Sequence, residues 1–293
     1  MDNDTRGSEK NWRVIDLLQW GEDYFSSRHF EHPRREIEWL LCELLGYQRI
    51  DLYLQFEEPV SRGKLTRLRG WVQRRIKLEP LQYITGETEF YGRSFKVTPA
   101  VLIPRPETER MIDVALHSVR NIEKPRILDV GTGSGCVAIS IAAECPAGEV
   151  TALEVSSAAL EIARYNVKQN QTTNIKLVEM NFLEAVPEKR FDLVVSNPPY
   201  IPTVEMESLM PDVRDYEPRV ALTDNQDGLT FYRRLAEVAE QVVNPGGWLV
   251  MEVGLGDHAR RAKEVFLQDC FSAIELISDF NGDDRVLKVR YSG

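Results

Sequence analysis

From residue 126 onward, short apolar runs alternate with stretches of helical periodicity, and this rhythm constrains the fold more than any other feature of the chain. "RILDV" (126–130), "VTALE" (150–154), "IKLVE" (175–179), "FDLVV" (191–195) and "WLVMEV" (248–253) read as strands. Helical stretches lie between them at about 135–144, 156–170 and 228–243, and another follows at 257–269. Such βαβ units cover both faces of a sheet with helices, so the pattern predicts a doubly wound, mostly parallel α/β sheet. The segment "AIELISDFNGDDRVLKVRY" breaks the alternation. It gives two strands joined through Asn281-Gly282, a hairpin signal, and so predicts an antiparallel strand in a sheet of seven.

The residues before this rhythm have a different character. Trp12, Ile15, Leu18 and Phe25 recur at helical spacing. After His32-Pro33, Ile37, Leu40, Leu41, Leu44 and Leu45 do the same, and Gly46 fits a helix stop. Leu65, Leu68, Val72 and Ile76 mark a further helix with Arg and Lys on its outer face. Residues 1–79 therefore read as a small N-terminal helical bundle. "LQYITGETEFYGRSFKVTPAVLI" alternates apolar and polar residues, with turn signals at Thr85-Gly86 and Tyr91-Gly92, so residues 80–103 read as a β-hairpin linker. Residues 104–293 form the remaining domain, entered by a helix from about Glu107 with Pro106 in its first turn.

Composition narrows the partners. The formal net charge of −10 offers no overall cationic surface for a nucleic acid backbone, so direct nucleic acid binding is not expected. No apolar run approaches the roughly 18 residues of a membrane span. The opening "MDNDTRGSEK" has no apolar core, so no secretory signal is expected. The four cysteines, Cys42, Cys136, Cys145 and Cys270, form no C-x-x-C pair, which points to reduced thiols in the cytoplasm and to no structural metal.

The chemistry sits where strands end. "LDVGTGSGCVAIS" (128–140) is a strand, a glycine-rich turn and a helix start. Gly131, Thr132, Gly133, Ser134 and Gly135 let the backbone turn sharply and approach a ligand, while the lack of a following Lys-Ser/Thr excludes a P-loop. The next strand ends in Glu154, about where a nucleotide-binding sheet places an acid for ribose hydroxyls. The alternative is a surface carboxylate before a helix capped by Ser156 or Ser157. After the third strand, Phe182 is suited to stack on an adenine ring and Asn181 to meet the base edge, with core packing the competing role for Phe182.

The fourth strand runs into Asn197, Pro198, Pro199 and Tyr200. Proline has no N–H and cannot continue a central strand, yet its carbonyl still accepts in a fixed direction. The Asn197 carbonyl is a second acceptor, and Tyr200 offers a flat face. Two such acceptors hold the hydrogens of a planar –NH₂ group with its nitrogen lone pair turned away from them. A planar –NH₂ nucleophile beside a nucleotide-type cofactor suggests methyl transfer from S-adenosylmethionine, in which positioning does most of the work.

With these motifs in order, the chain resembles the class I S-adenosylmethionine-dependent methyltransferases, and within them the HemK/PrmC family of glutamine N5-methyltransferases. "PLQYITGETEFYGRSFKVTPAVLIPRPETE" (80–109), "YEPRVALTDNQDGLTFYRRL" (216–235) and "RREIEWLLCELLG" carry that closer resemblance over nearly the full length. The resemblance implies that Gly131–Gly135, Glu154, Phe182 and Asn197 bind S-adenosyl-L-methionine. It implies that Asn197, Pro198, Pro199 and Tyr200 cradle the glutamine of the Gly-Gly-Gln motif in a class I peptide chain release factor, with Asn197, Pro198 and Tyr200 catalytic. It also implies that the helical domain docks that partner and that Leu102 lies near the substrate pocket. Glu154 stands where Asp is more usual, and Asn181 where Asp is common. The roles of Arg105, Glu107 and Arg219 are not legible from pattern. The rivals are an amino-methyltransferase of nucleic acid bases, a methyltransferase of a ribosomal protein glutamine, and a catalytically idle cofactor-binding module.

Overall fold

In the computed structural model, which describes residues 11–279 and 281–293, the chain divides between Thr85 and Gly86 into two units, each with its own core. The first holds helices α1 (Val14–Ser26), α2 (Pro33–Leu45), α3 (Asp51–Leu54), α4 (Arg62–Arg75) and α5 (Leu81–Thr85). Pro33 opens α2, where its missing N–H costs nothing, and Gly46 closes it in a left-handed conformation at φ 73°. The apolar stripe buries Leu17, Leu18, Phe25, Ile37, Leu40, Leu41, Leu68 and Val72, while Ile15, expected on that stripe, stays 41% exposed because Val14 takes the inward position. Arg75 of α4 and Glu36 of α2 pair at 2.6 Å.

The alternation in residues 81–85 does not make a strand. The N–H groups of Tyr83 and Ile84 both return to the Pro80 carbonyl at 3.1 Å, and Ile84 enters the helical core. A hairpin through 80–103 is thus corrected to strands β1 (Glu87–Phe90) and β2 (Arg93–Lys96) alone. Nor is this hairpin a free linker. Phe90 and Phe95 are buried in the core of the second unit.

That unit continues with α6 (Pro106–Val119), β3 (Arg126–Val130), α7 (Cys136–Glu144), β4 (Glu149–Glu154), α8 (Ser157–Gln169), β5 (Ile175–Glu179) and β6 (Phe191–Ser196). Short helices α9 (Pro211–Tyr216) and α10 (Arg219–Leu222) precede α11 (Thr230–Val242), β7 (Val243–Glu252), α12 (Asp257–Glu264), β8 (Phe271–Ser278) and β9 (Asp284–Tyr291). The sheet order is β5-β4-β3-β6-β7-β9-β8, parallel except for β9. From β3 the chain first winds outward through β4 and β5. It then returns to place β6 on the other flank of β3, so β3 and β6 form the switch point where such sheets bind ligands. The β8–β9 connection is longer than a two-residue turn: Asp279 Oδ1 accepts from the N–H groups of Asn281 (2.8 Å) and Asp283 (3.2 Å), and Gly282 takes φ 90°. Apolar cores cover both faces, with Tyr232, Leu235 and Phe266 on one and Met111, Ile139 and Val195 on the other. Among the described residues no helix is long and apolar enough to cross a membrane.

Candidate active site

A cleft with about 1060 Å³ of space free of protein atoms opens at the carboxyl ends of β3, β4 and β6. The turn after β3 forms one wall. Gly131, Gly133 and Gly135 have φ of 77°, 55° and 83°, a left-handed path that residues with a Cβ rarely take. The Gly131 and Thr132 N–H groups donate to the Leu153 carbonyl at 3.0 and 2.9 Å. Asn166 of α8, fully buried, donates to the carbonyls of Ser134 (2.8 Å) and Lys96 (3.0 Å), so one amide pins the turn and the hairpin together.

Glu154 does more than stand at a strand end. Its Oε2 accepts from the Gly133 N–H at 2.8 Å, and its Oε1 from the N–H groups of Val155 (2.9 Å) and Ser156 (3.0 Å). The carboxylate therefore clasps the glycine turn, and one acceptor position on Oε2 is left over. The surface alternative for Glu154 fails, since the residue is only 9% exposed.

Behind the turn lies a carboxylate that sequence reasoning passes over. Asp129 is 1% exposed within β3, and burial, with the nearby Glu154 charge, pushes its carboxyl up to about 7. The nearby Thr132 hydroxyl and Ala138 N–H pull the other way, but neither Asp129 Oδ2 nor Thr132 Oγ1 has a partner in hydrogen-bond geometry, and both are buried. Both residues line the cleft. Unpaired buried polar atoms are costly, so both are open to a hydrogen-bonding partner that enters the cleft. The signal in the sequence is an acid inside an otherwise apolar strand just before the glycines.

The opposite wall comes from the end of β6. The Ser196 hydroxyl donates to the Val130 carbonyl at 2.8 Å, tying the two switch-point strands. Asn197 Nδ2 donates to Thr108 Oγ1 at 3.2 Å, and Thr108 Oγ1 donates to Glu252 Oε2 at 2.5 Å. Asn197, Pro198 and Pro199 line the cleft; Tyr200 is not among its lining residues. The Tyr200 hydroxyl instead donates to Glu252 Oε1 at 3.2 Å, with its ring 5.7 Å from that of His258. His258 Nδ1 accepts from the Gly254 N–H and its Nε2–H donates to the Gly228 carbonyl, both at 3.0 Å. Burial lowers its pKa, in keeping with a neutral ring. Gly228 has no alternative residue, because a Cβ there would lie 2.2 Å from the Tyr200 carbonyl oxygen.

Two further segments close the mouth. Leu102, Pro104 and Arg105 face the cleft from before α6, and Pro218, Val220 and Ala221 from the α10 region. Glu217, 5% exposed, ion-pairs with Arg105 and accepts from the Ile103 N–H at 3.3 Å, so these segments hold each other. Arg219 donates to Asn225 Oδ1 at 3.2 Å, a local tie outside the cleft lining. Among the described residues no group of three or more His, Cys, Asp or Glu is placed to hold a metal ion.

This geometry meets a consistent set of relatives. The PrmC N-terminal domain matches residues 16–86 and the Methyltransferase small domain matches residues 112–210. A release factor glutamine methyltransferase of Geobacter sulfurreducens is 43% identical over 280 residues, covering 94% of this chain and 96% of the relative. The chain belongs to the release factor glutamine methyltransferase family. A second member of this family, from Chlorobaculum tepidum, is 40% identical over 291 residues, covering 95% of this chain and 97% of its own. The family's methyltransferase fold is shared with a crystallised methyltransferase of Pyrococcus furiosus at a TM-score of 0.51 and 21% identity, covering 76% of this chain and 98% of that one.

The residues expected from sequence thus separate into groups. Gly131–Ser134, Glu154, Asn181, Phe182, Asn197, Pro198 and Pro199 come together around one cleft, joined by Leu102, while Gly135 lies outside the lining and caps the start of α7. Phe182 is 3% exposed and also belongs to the core, so packing and cleft lining are one role. Asn181 Oδ1 already accepts from the Leu183 N–H at 3.1 Å. Tyr200 turns inward to Glu252, and Glu107 lies outside the lining. Thr108, Asp129 and Glu252 are the residues that the sequence alone did not bring forward.

Proposed function

We propose that this chain transfers the methyl group of S-adenosyl-L-methionine to the side-chain amide nitrogen of the glutamine in the Gly-Gly-Gln motif of class I peptide chain release factors. The observation that carries this reading is the state of the Asn197 amide. Its nitrogen is committed to Thr108, and its carbonyl oxygen receives no hydrogen bond from the described residues. That oxygen is an acceptor for a planar –NH₂ group at the rim of a nucleotide-type cleft. The Pro198 carbonyl is the second acceptor. Together they hold the amide hydrogens and leave the nitrogen lone pair facing away, and both acceptors strengthen as positive charge grows on the nitrogen.

The cleft fits the cofactor by its orphaned polar atoms. Asp129 Oδ2 and Thr132 Oγ1 suit the ammonium of an amino acid moiety, the remaining acceptor position of Glu154 suits a ribose hydroxyl, and Phe182 offers a flat apolar surface beside the base. When bound, this cofactor supplies a methyl group on a positively charged sulfur, which leaves without a metal. The helical unit, matching the PrmC N-terminal domain, supports recognition of the protein partner.

The decisive test uses cofactor labelled in its methyl group, offered with a release factor, a ribosomal protein, DNA or RNA separately. Label confined to the release factor, on its glutamine, is expected. Transfer to a nucleic acid or to the ribosomal protein instead would replace this reading with the corresponding rival, and binding without transfer to any would leave a cofactor-binding module.

Two predictions arise here. Cofactor affinity should depend on pH through Asp129. In the free protein its carboxyl holds a proton below about 7, whereas pairing with an ammonium requires the carboxylate. Lowering the pH therefore disfavours the complex, by up to about tenfold per pH unit below 7. Calorimetry across pH 5.5–7.5 should show this slope in the native chain and its loss, with weaker binding, in Asp129→Asn. An unchanged slope in the variant removes Asp129 from the binding step. Second, Glu154→Ala releases the Gly133, Val155 and Ser156 N–H groups from their acceptor. Charge-assisted hydrogen bonds of this kind contribute roughly 1.5–3 kcal/mol, so affinity should fall about 10- to 100-fold. A loss of less than a factor of two would mean that neither the clasp nor the ribose contact matters.

A further inference from the structure

We propose that Glu252, acting through Thr108, orients the Asn197 amide for reaction, and that its other oxygen anchors Tyr200 at the far end of the same turn. The inference rests on the role of Asn197 just proposed. Glu252 ends β7 and is 0% exposed, and Thr108, in the first turn of α6, is 2% exposed. Burial pushes the Glu252 carboxyl up, while Thr108, Arg285 and Tyr200 favour its charged form. As a carboxylate it only accepts, so the Thr108 hydroxyl, 2.5 Å away, gives its hydrogen to Glu252 Oε2. Thr108 Oγ1 then has only lone pairs to offer Asn197, 3.2 Å away. Only the Nδ2 end of the amide can satisfy it. The carbonyl end is thereby the one left to accept from a substrate. A buried acid thus determines, two bonds away, which end of Asn197 is presented.

The second oxygen works on the same turn from its other side. Glu252 Oε1 accepts from the Tyr200 hydroxyl at 3.2 Å and lies 3.5 Å from the Arg285 guanidinium. The Tyr232 hydroxyl donates to the Glu252 backbone carbonyl at 2.6 Å, which holds the strand end itself. A carboxylate buried at full depth is expensive, and an apolar residue would serve packing alone at least as well. Here the charge is matched by Arg285 and by two hydroxyl donors, and those donors lead to both ends of residues 197–200. Glu252 is a positioning residue outside the cleft lining; Thr108 reaches the cleft wall, and its part here is to orient Asn197, not to touch the substrate.

The test compares Thr108→Val, which keeps the shape and removes the hydroxyl, with Thr108→Ser, which restores it. Single-turnover transfer to a release factor at saturating cofactor should slow about tenfold or more in Thr108→Val, with cofactor affinity and the KM for the release factor within twofold of native. Thr108→Ser should return to within about threefold. Glu252→Gln, which offers one acceptor oxygen and an unwanted donor, should slow transfer similarly. The double variant Thr108→Val/Glu252→Gln should be no slower than the slower single, because both break one chain. A general loosening would instead raise both binding constants and lower the melting temperature, and Thr108→Ser would not rescue it. Asn197→Ala is run alongside. If it is slow while Thr108→Val is near native, the orienting chain is wrong and the Asn197 reading stands. If Asn197→Ala is itself near native, the Asn197 reading fails first. Should Thr108→Val not fold, Thr108→Ala serves, judged by the same split between rate and binding.

Discussion

Asn197→Ala is expected to slow methyl transfer by about 100-fold or more, the scale of losing one preorganised polar contact to a developing charge. The cofactor should still bind, because the glycine turn, Asp129 and Glu154 are untouched. Asn197→Asp discriminates more finely. It preserves the shape and an acceptor, but it cannot donate to Thr108 Oγ1, which has already given its own hydrogen to Glu252. It also brings a second acid close to a buried one. Asp is therefore expected to be as slow as Ala, although acceptance alone would predict that it retains more activity. Single-turnover transfer to a release factor at saturating cofactor measures both. Near-native rates in both variants would show that the turn at 197–200 does not hold the substrate amide.

Gly133→Val is expected to lower cofactor affinity by about 100-fold while leaving the fold intact. Gly133 sits at φ 55°, and its N–H donates to Glu154. A left-handed conformation costs a residue with a Cβ roughly 1–2 kcal/mol, and a β-branched one is held there least well. A Cβ at this position meets no protein atom within 4 Å, so the added side chain enters open space at a turn that lines the cleft and does not disturb the core. Relaxing the strain would pull the N–H off Glu154 and deform the turn. Calorimetry gives the affinity, and far-ultraviolet circular dichroism with a melting curve checks the fold. Gly133→Ala, smaller and unbranched, should fall between native and Val. A folded Val variant with native affinity would take the glycine turn out of the binding site.

Much of the molecule was legible because the relevant signals are local. Strand and helix periodicity depends on neighbours a few residues apart, and it marked five parallel strands and the two that end the sheet. Turn chemistry is equally local, so the glycines before α7, Pro106 opening α6 and the prolines that stop β6 could be read directly. Where signals were short, reading failed. Residues 81–85 alternate like a strand, but four or five residues carry too little pattern to outweigh a turn that Pro80 starts and that buries Ile84. The short helices α9 and α10 escaped for the same reason.

By itself the sequence determined that a parallel sheet would end in a glycine turn, an acid and an Asn-Pro-Pro-Tyr turn. Only the tertiary structure decided what those groups do to one another. It turned Tyr200 away from the cleft lining toward Glu252, made Glu154 a clasp on the Gly133 N–H, and left the Asp129 Oδ2 atom buried without a partner. The chain from Glu252 through Thr108 to Asn197 joins three elements whose residues lie 144 and 89 positions apart. A hydrogen bond across such separations leaves no periodicity in the sequence. It exists because β6, β7 and α6 are packed so that one buried carboxylate and one hydroxyl meet behind the reactive turn.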